Sequence, residues 1–129
     1  MPRLFGIAAM IALLLAGASY AHGQKQTERY IPVGQSPGLS GKVTGIGVIE
    51  TANAASRTIT VARGAERWTV RLTDQTRIWL DRSRMKLTAL DGSFADLQPG
   101  RRVEVMPDGG KPGAPAAWIK VEMTADPGR

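Results

Sequence analysis

The stretch Arg57-Thr58-Ile59-Thr60-Val61-Ala62-Arg63-Gly64-Ala65-Glu66-Arg67-Trp68-Thr69-Val70-Arg71-Leu72 decides the fold class of this 129-residue chain. Its apolar side chains recur at every second position on either side of Gly64-Ala65-Glu66, the period of a half-buried strand and not that of a helix. Ile59 and Val61 fall on one face and Thr58 and Thr60 on the other. After the turn, Trp68, Val70 and Leu72 face inward while Arg67, Thr69 and Arg71 face water. The two runs therefore predict a β-hairpin.

Outward from this hairpin the same signals repeat. Upstream, Gly41-Lys42-Val43-Thr44-Gly45-Ile46-Gly47-Val48-Ile49-Glu50 reads as a strand in which Val43, Gly45 and Gly47 share one side and Ile46 and Val48 the other. Glycines inside a strand mark a bulge or tight bend, and this is how a first strand curves enough to serve both edges of a small barrel. Thr51 to Ser56 reads as a turn. Downstream, Thr76-Arg77-Ile78-Trp79-Leu80-Asp81 turns Ile78 and Leu80 in and Arg77 and Trp79 out.

Arg82 to Asp91 is a basic loop in which Met85-Lys86-Leu87 is a candidate short strand, and Phe94-Ala95-Asp96-Leu97 a candidate helical turn before Gln98-Pro99-Gly100. Val103 and Val105, then Ile119, Val121 and Met123, give two more inward sets. Between them Pro107 to Pro115, with three Gly and three Pro, reads as a mobile loop. The expected domain is all-β, a small antiparallel barrel of five or six strands over residues 40–124, because closing a sheet removes its exposed edges.

The flanks read differently. Residues 1–21 have the parts of a cleavable secretory signal peptide: Arg3, an apolar stretch from Leu4 to Ala18, and the small-residue exit Ser19-Tyr20-Ala21. Cleavage after Ala21 or after Ala18 fits, and a retained N-terminal anchor is the alternative. The apolar stretch is shorter than the roughly 20 residues a membrane span needs. Ala18 stands where a lipid-bearing cysteine would follow Leu15-Ala16-Gly17, so no lipid anchor is expected. Residues 22–39, with Gly, Gln, Pro and Ser and little periodicity, read as a flexible arm, and residues 125–129 as a disordered tail. Periplasmic or secreted localisation follows.

Charge and chemistry narrow the function. Removing the leader takes away one of the 17 basic residues and none of the 11 acidic ones, leaving a net charge of +5, which favours anionic partners. Most of the basic residues are Arg, the side chain suited to bidentate contact with carboxylate or phosphate. With no cysteine, thiol nucleophiles, thiolate metal sites and disulfides are excluded. The single histidine, His22, lies in the arm, and no serine sits in a Gly-x-Ser-x-Gly setting. Asp91 and Asp96 are a conceivable acid and base pair, but both flank turns, where Asp caps backbone. No catalytic residue, metal site or cofactor is expected.

The segments Gly41-Lys42-Val43-Thr44-Gly45-Ile46, Arg57-Thr58-Ile59-Thr60-Val61, Asp96-Leu97-Gln98-Pro99-Gly100-Arg101-Arg102-Val103-Glu104-Val105 and Ala117-Trp118-Ile119-Lys120-Val121 resemble a bacterial exported family, domain of unknown function 5666. The resemblance spans about residues 40 to 123 and implies an oligonucleotide/oligosaccharide-binding-type (OB-like) barrel. It implies no activity. The layout is also similar to that of small periplasmic copper chaperones, which use a His, a Trp and two Met. Trp68 lies in the corresponding region, but Arg63 to Leu72 holds neither His nor Met, and those soft ligands are what select Cu(I).

The candidate binding residues are Arg67, Arg71, Arg77 and Trp79, expected together on one outer face, since guanidinium groups beside an aromatic ring hold anions and stack bases or sugars. Arg82, Arg84 and Lys86 extend this patch, and Trp118 covers the last strand. The expected function is an exported, non-catalytic binding module of the periplasm or cell envelope, with an envelope protein or anionic ligand as partner. Periplasmic copper binding is one alternative. Single-stranded nucleic-acid or oligosaccharide binding by the barrel face is another, although export argues against nucleic acid.

Overall fold

The computed structural model describes residues 28–39 and 44–124. The expected leader (1–21), the first part of the arm with His22, the start of the first predicted strand and the tail lie outside the described residues. The chain forms an all-β domain: β1 (Gly45–Asn53), β2 (Thr58–Arg63), β3 (Glu66–Arg71), β4 (Arg77–Asp81), β5 (Leu90–Asp91), β6 (Arg102–Pro107) and β7 (Ala116–Glu122). They make a single sheet in the order β3-β2-β1-β6-β7-β4-β5. Single 3-10 turns and one helical turn, Ser36–Leu39, complete the fold, and among the described residues no helix is long and apolar enough to cross a membrane.

The alternation that defines the hairpin is realised, with Val61 opposite Trp68 and Ile59 opposite Val70 in antiparallel register. Ile49, Ile59, Val61, Val70, Leu72, Val103, Val105, Ile119 and Val121 form one buried cluster, against which Ile78, Leu80, Trp68 and Phe94 pack. Residues of β3 and β4, four strands apart in the sheet, thus share a core, so the sheet curls around it. Leu97 adds its buried side chain from the turn Phe94–Asp96. That turn is held by a reciprocal capping box between Ser93 and Asp96, which assigns Asp96 to backbone capping.

β1 serves two neighbours, as the sequence predicts of a curved first strand. Its first residues pair with β6 and its later ones with β2, with a register shift between Ile49 and Thr51. The bulge falls beyond the glycines, which have another reason to be there. A Cβ on Gly47 would lie 2.6 Å from the carbonyl oxygen of Ala62 and 2.6 Å from a methyl of Val61. Gly45 faces the Trp68 ring in the same way, at 3.2 Å. Both glycines admit the side chains of the hairpin to the core.

Three expectations are corrected. The sheet is not closed into a barrel: β3 and β4 do not pair, and β4 instead joins β7 in parallel, Ile78 opposite Ile119 and Leu80 opposite Val121. The Thr76 hydroxyl ties the start of β4 to β7, accepting from the Thr73 N–H (2.9 Å) and donating to the Ala116 carbonyl (2.7 Å). The sheet is therefore mixed, with seven strands. The short strand after the basic loop is Leu90–Asp91, because Met85-Lys86 closes a 3-10 turn with Lys86 in the left-handed region. Thr51 to Asn53 extends β1 and does not turn.

Candidate functional site

The four residues expected on one outer face divide into two places. Arg67 and Arg71 are exposed on β3, whose outer edge no strand covers among the described residues. Arg77 and Trp79 lie on β4, separated from β3 by four strands in the sheet. Arg77 is exposed. Trp79 points away from the core as predicted but is only 7% exposed. The surface as drawn from the sequence, with Trp79 beside Arg67 and Arg71, is not formed.

Around β3 the site that does form is a groove of about 680 Å³. Trp68, half-buried, with Val70, Val105, Pro107, Pro112 and Ala114 line it. Pro112 and Ala114 belong to the glycine-rich stretch after β6, closed on itself by an Asp108 N–H to Pro115 carbonyl bond of 2.8 Å. Arg63, Glu66 and Arg67 also line the groove. Arg67 donates to Glu50 at 2.7 Å and Arg63 approaches Glu66 at 3.9 Å, both pairs exposed. Such pairs contribute roughly 0–1 kcal/mol and exchange readily for another anion. Arg67 and Arg71 point to the same side of β3, about 13 Å apart at the strand rise.

Trp79 is covered by a segment that composition assigns to the arm. Residues 28–39 lie packed on the face of the sheet opposite the main core, with Ile31 and Val33 buried. Beneath them the outward positions of three strands meet in register: Glu104 on β6 opposes Lys120 on β7, which opposes Trp79 on β4. Lys120 and Glu104 have no solvent exposure. The Lys120 ammonium donates to Ser36 Oγ at 2.7 Å and to Glu28 Oε1 at 3.3 Å, and lies 3.8 Å from Glu104 Oε1. It also sits 4.6 Å from the centroid of Trp118, whose ring packs on Trp79 at 5.5 Å. Burial holds the Lys120 pKa below its usual value, against the opposing pull of Glu104, Glu28 and Asp81.

The carboxylates of this cluster are bonded to backbone as well. Asp81 accepts the Val33 N–H (2.9 Å) and the Ser83 N–H (2.9 Å), and Glu104 accepts the Gly34 N–H (3.1 Å) and the Thr44 hydroxyl (2.6 Å). Arg102 bridges Glu122 at 3.0 Å and the Val33 carbonyl at 3.3 Å. A buried network of this kind is tolerable because its members are mutually satisfied. Sequence reading missed Lys120, Glu104, Glu28 and Ser36. The available signal was the outward set Trp79, Met106 and Trp118, too large and apolar for a wet face.

The remaining candidates for chemistry are accounted for locally. Asp91 pairs with Arg29 at 3.2 Å, Arg84 with Glu122 at 3.2 Å, and Arg82 donates to the Thr88 carbonyl at 2.7 Å. Among the described residues, no group of three or more His, Cys, Asp or Glu side chains is placed to hold a metal ion. No family model, curated protein or solved structure matches the chain.

Proposed function

We propose that this chain is an exported, non-catalytic binding module of the periplasm or cell envelope that engages an extended anionic partner along β3. The observation carrying this reading is the coincidence of three features on one strand. Among the described residues β3 has an unpaired edge, its Trp68 and Val70 line a groove of about 680 Å³, and Arg67 and Arg71 are exposed along its length. An extended chain laid on such an edge gains main-chain hydrogen bonds, while alternate side chains enter the groove and its charges meet guanidinium groups. Trp68 takes the aromatic role that the sequence gives to Trp79. Export rests on the leader-like residues 1–21, and the resemblance to the exported family belongs to the same proposal.

The test uses the chain from His22 onward and poly-glutamate as probe, with poly-lysine as control. Intrinsic tryptophan fluorescence is expected to change with poly-glutamate at low salt, and the midpoint to rise as salt screens the contact. Arg67→Glu/Arg71→Glu is expected to abolish the response and Trp68→Phe to shrink its amplitude. Equal response of the double charge reversal and the wild type overturns the proposal.

A further inference from the structure

The packing of residues 28–39 has the form of a bound peptide. Its main-chain hydrogen bonds include ones within the segment, from Ile31 N–H to the Glu28 carbonyl and from Gln35 N–H to the Pro32 carbonyl, and ones to side chains of the sheet. It adds no strand to the sheet. The contacts are long-range in sequence, spanning 48 residues from Val33 to Asp81 and 92 from Glu28 to Lys120.

The sheet face alone holds a complete set of recognition groups. Asp81 and Glu104 accept successive backbone N–H groups, those of Val33 and Gly34. Arg102 donates to the intervening carbonyl, that of Val33. Lys120 binds the Glu28 carboxylate beside the Trp118 ring, and the Trp79–Trp118 pair lies under the same cover. Two acceptors, one donor, one cation and an aromatic pair read a turn-forming peptide by its backbone, one carboxylate and its aliphatic side chains.

We infer that this face is a peptide-binding site that the chain's own residues 28–39 fill and guard. In exchange it takes a segment of the same chemistry that adopts the same turns: an acidic residue, β-branched residues three and five positions later, and glycine next, as in Glu28-Arg29-Tyr30-Ile31-Pro32-Val33-Gly34. The tethered segment competes at an effective concentration on the order of millimolar, so a free peptide of equal intrinsic affinity half-fills the site at about that concentration. Weakening the tethered segment lowers the requirement.

The probe is the synthetic peptide Glu-Arg-Tyr-Ile-Pro-Val-Gly-Gln-Ser-Pro-Gly-Leu, the sequence of residues 28–39, with a scrambled control. It is titrated into the chain from His22 onward while the indole N–H signals of Trp79 and Trp118 are followed by NMR. Saturable shifts are expected at both indoles in the wild type and none with the scrambled peptide. In Glu28→Gln and Ile31→Ala the half-saturating concentration is expected to fall at least fivefold. Absence of shifts in folded wild type and variants, or an unchanged midpoint in both variants, overturns the inference. Should both variants unfold, the wild-type titration decides it alone.

Discussion

Replacing Lys120 by methionine tests the buried network at its centre. The side chain keeps its length and its contact with Trp118, but Glu104, without solvent exposure, and Glu28 lose the cation between them. Removing one member of a buried ion pair costs about 3–5 kcal/mol, because the stranded carboxylate is left uncompensated in a poorly solvated site. A domain of this size is stable by roughly 5–15 kcal/mol, so the loss is a large fraction of the whole. At about 4–8 °C per kcal/mol for a small domain, the midpoint of thermal unfolding falls by 12 °C or more, to order of magnitude. Urea unfolding followed by circular dichroism measures it, with an unchanged slope showing that the native state stays compact. The double variant Lys120→Met/Glu104→Gln is expected to recover part of the loss, with a coupling of about 1 kcal/mol or more in the cycle. A loss below about 1 kcal/mol in the single variant, or strict additivity in the double, refutes the reasoning.

The depressed pKa of Lys120 carries a sign. The folded chain releases this proton at lower pH than the unfolded chain, so between the two values the unfolded chain holds more protons and stability rises with pH. Urea midpoints measured as the pH is raised toward the ordinary lysine value of about 10.4 should show this rise in the wild type and a smaller one in Lys120→Met. At Gly47, alanine drives a Cβ to 2.6 Å from the Ala62 carbonyl, whereas at Gly64, with φ of 60° and nothing within 4 Å, only the left-handed backbone resists it. Gly47→Ala is therefore expected to cost about 2–3 kcal/mol and Gly64→Ala about 1 kcal/mol; equal costs in chemical denaturation contradict the packing around β1. Leu97→Ala empties a site that is 2% exposed in the core and should cost about 2–5 kcal/mol by the same measurement, against less than about 1 kcal/mol for exposed Leu87→Ala.

The core was legible because a period of two fixes which side chains face in, whatever the strands pair with. Ile59, Val61, Val70, Leu72, Val103, Val105, Ile119 and Val121 were found on that ground alone. Pairing partners were not, because the parallel match of β4 with β7 joins residues about forty positions apart, and alternation within a strand carries no information on its neighbour. The second buried face was hidden for a related reason. Residues 28–39 contain two β-branched residues around a proline, which composition reads as linker, and their cover exists only once β6, β7 and β4 stand side by side. Glu104 opposite Lys120 is a register fact, visible in neither strand by itself. Trp79 was placed correctly as outward and wrongly as exposed, since outward on a sheet covered from both sides is still inside the protein.

Amide hydrogen exchange at Val33 and Gly34 tests most directly whether residues 28–39 are latched to the sheet through Asp81, Glu104 and Lys120. Both amides should exchange more slowly than an unstructured peptide and faster than the amides of β6 and β7, and in Lys120→Met fall close to the rate of a free peptide while the core strands stay measurably protected. Exchange at the rate of a free peptide in the wild type would contradict the account.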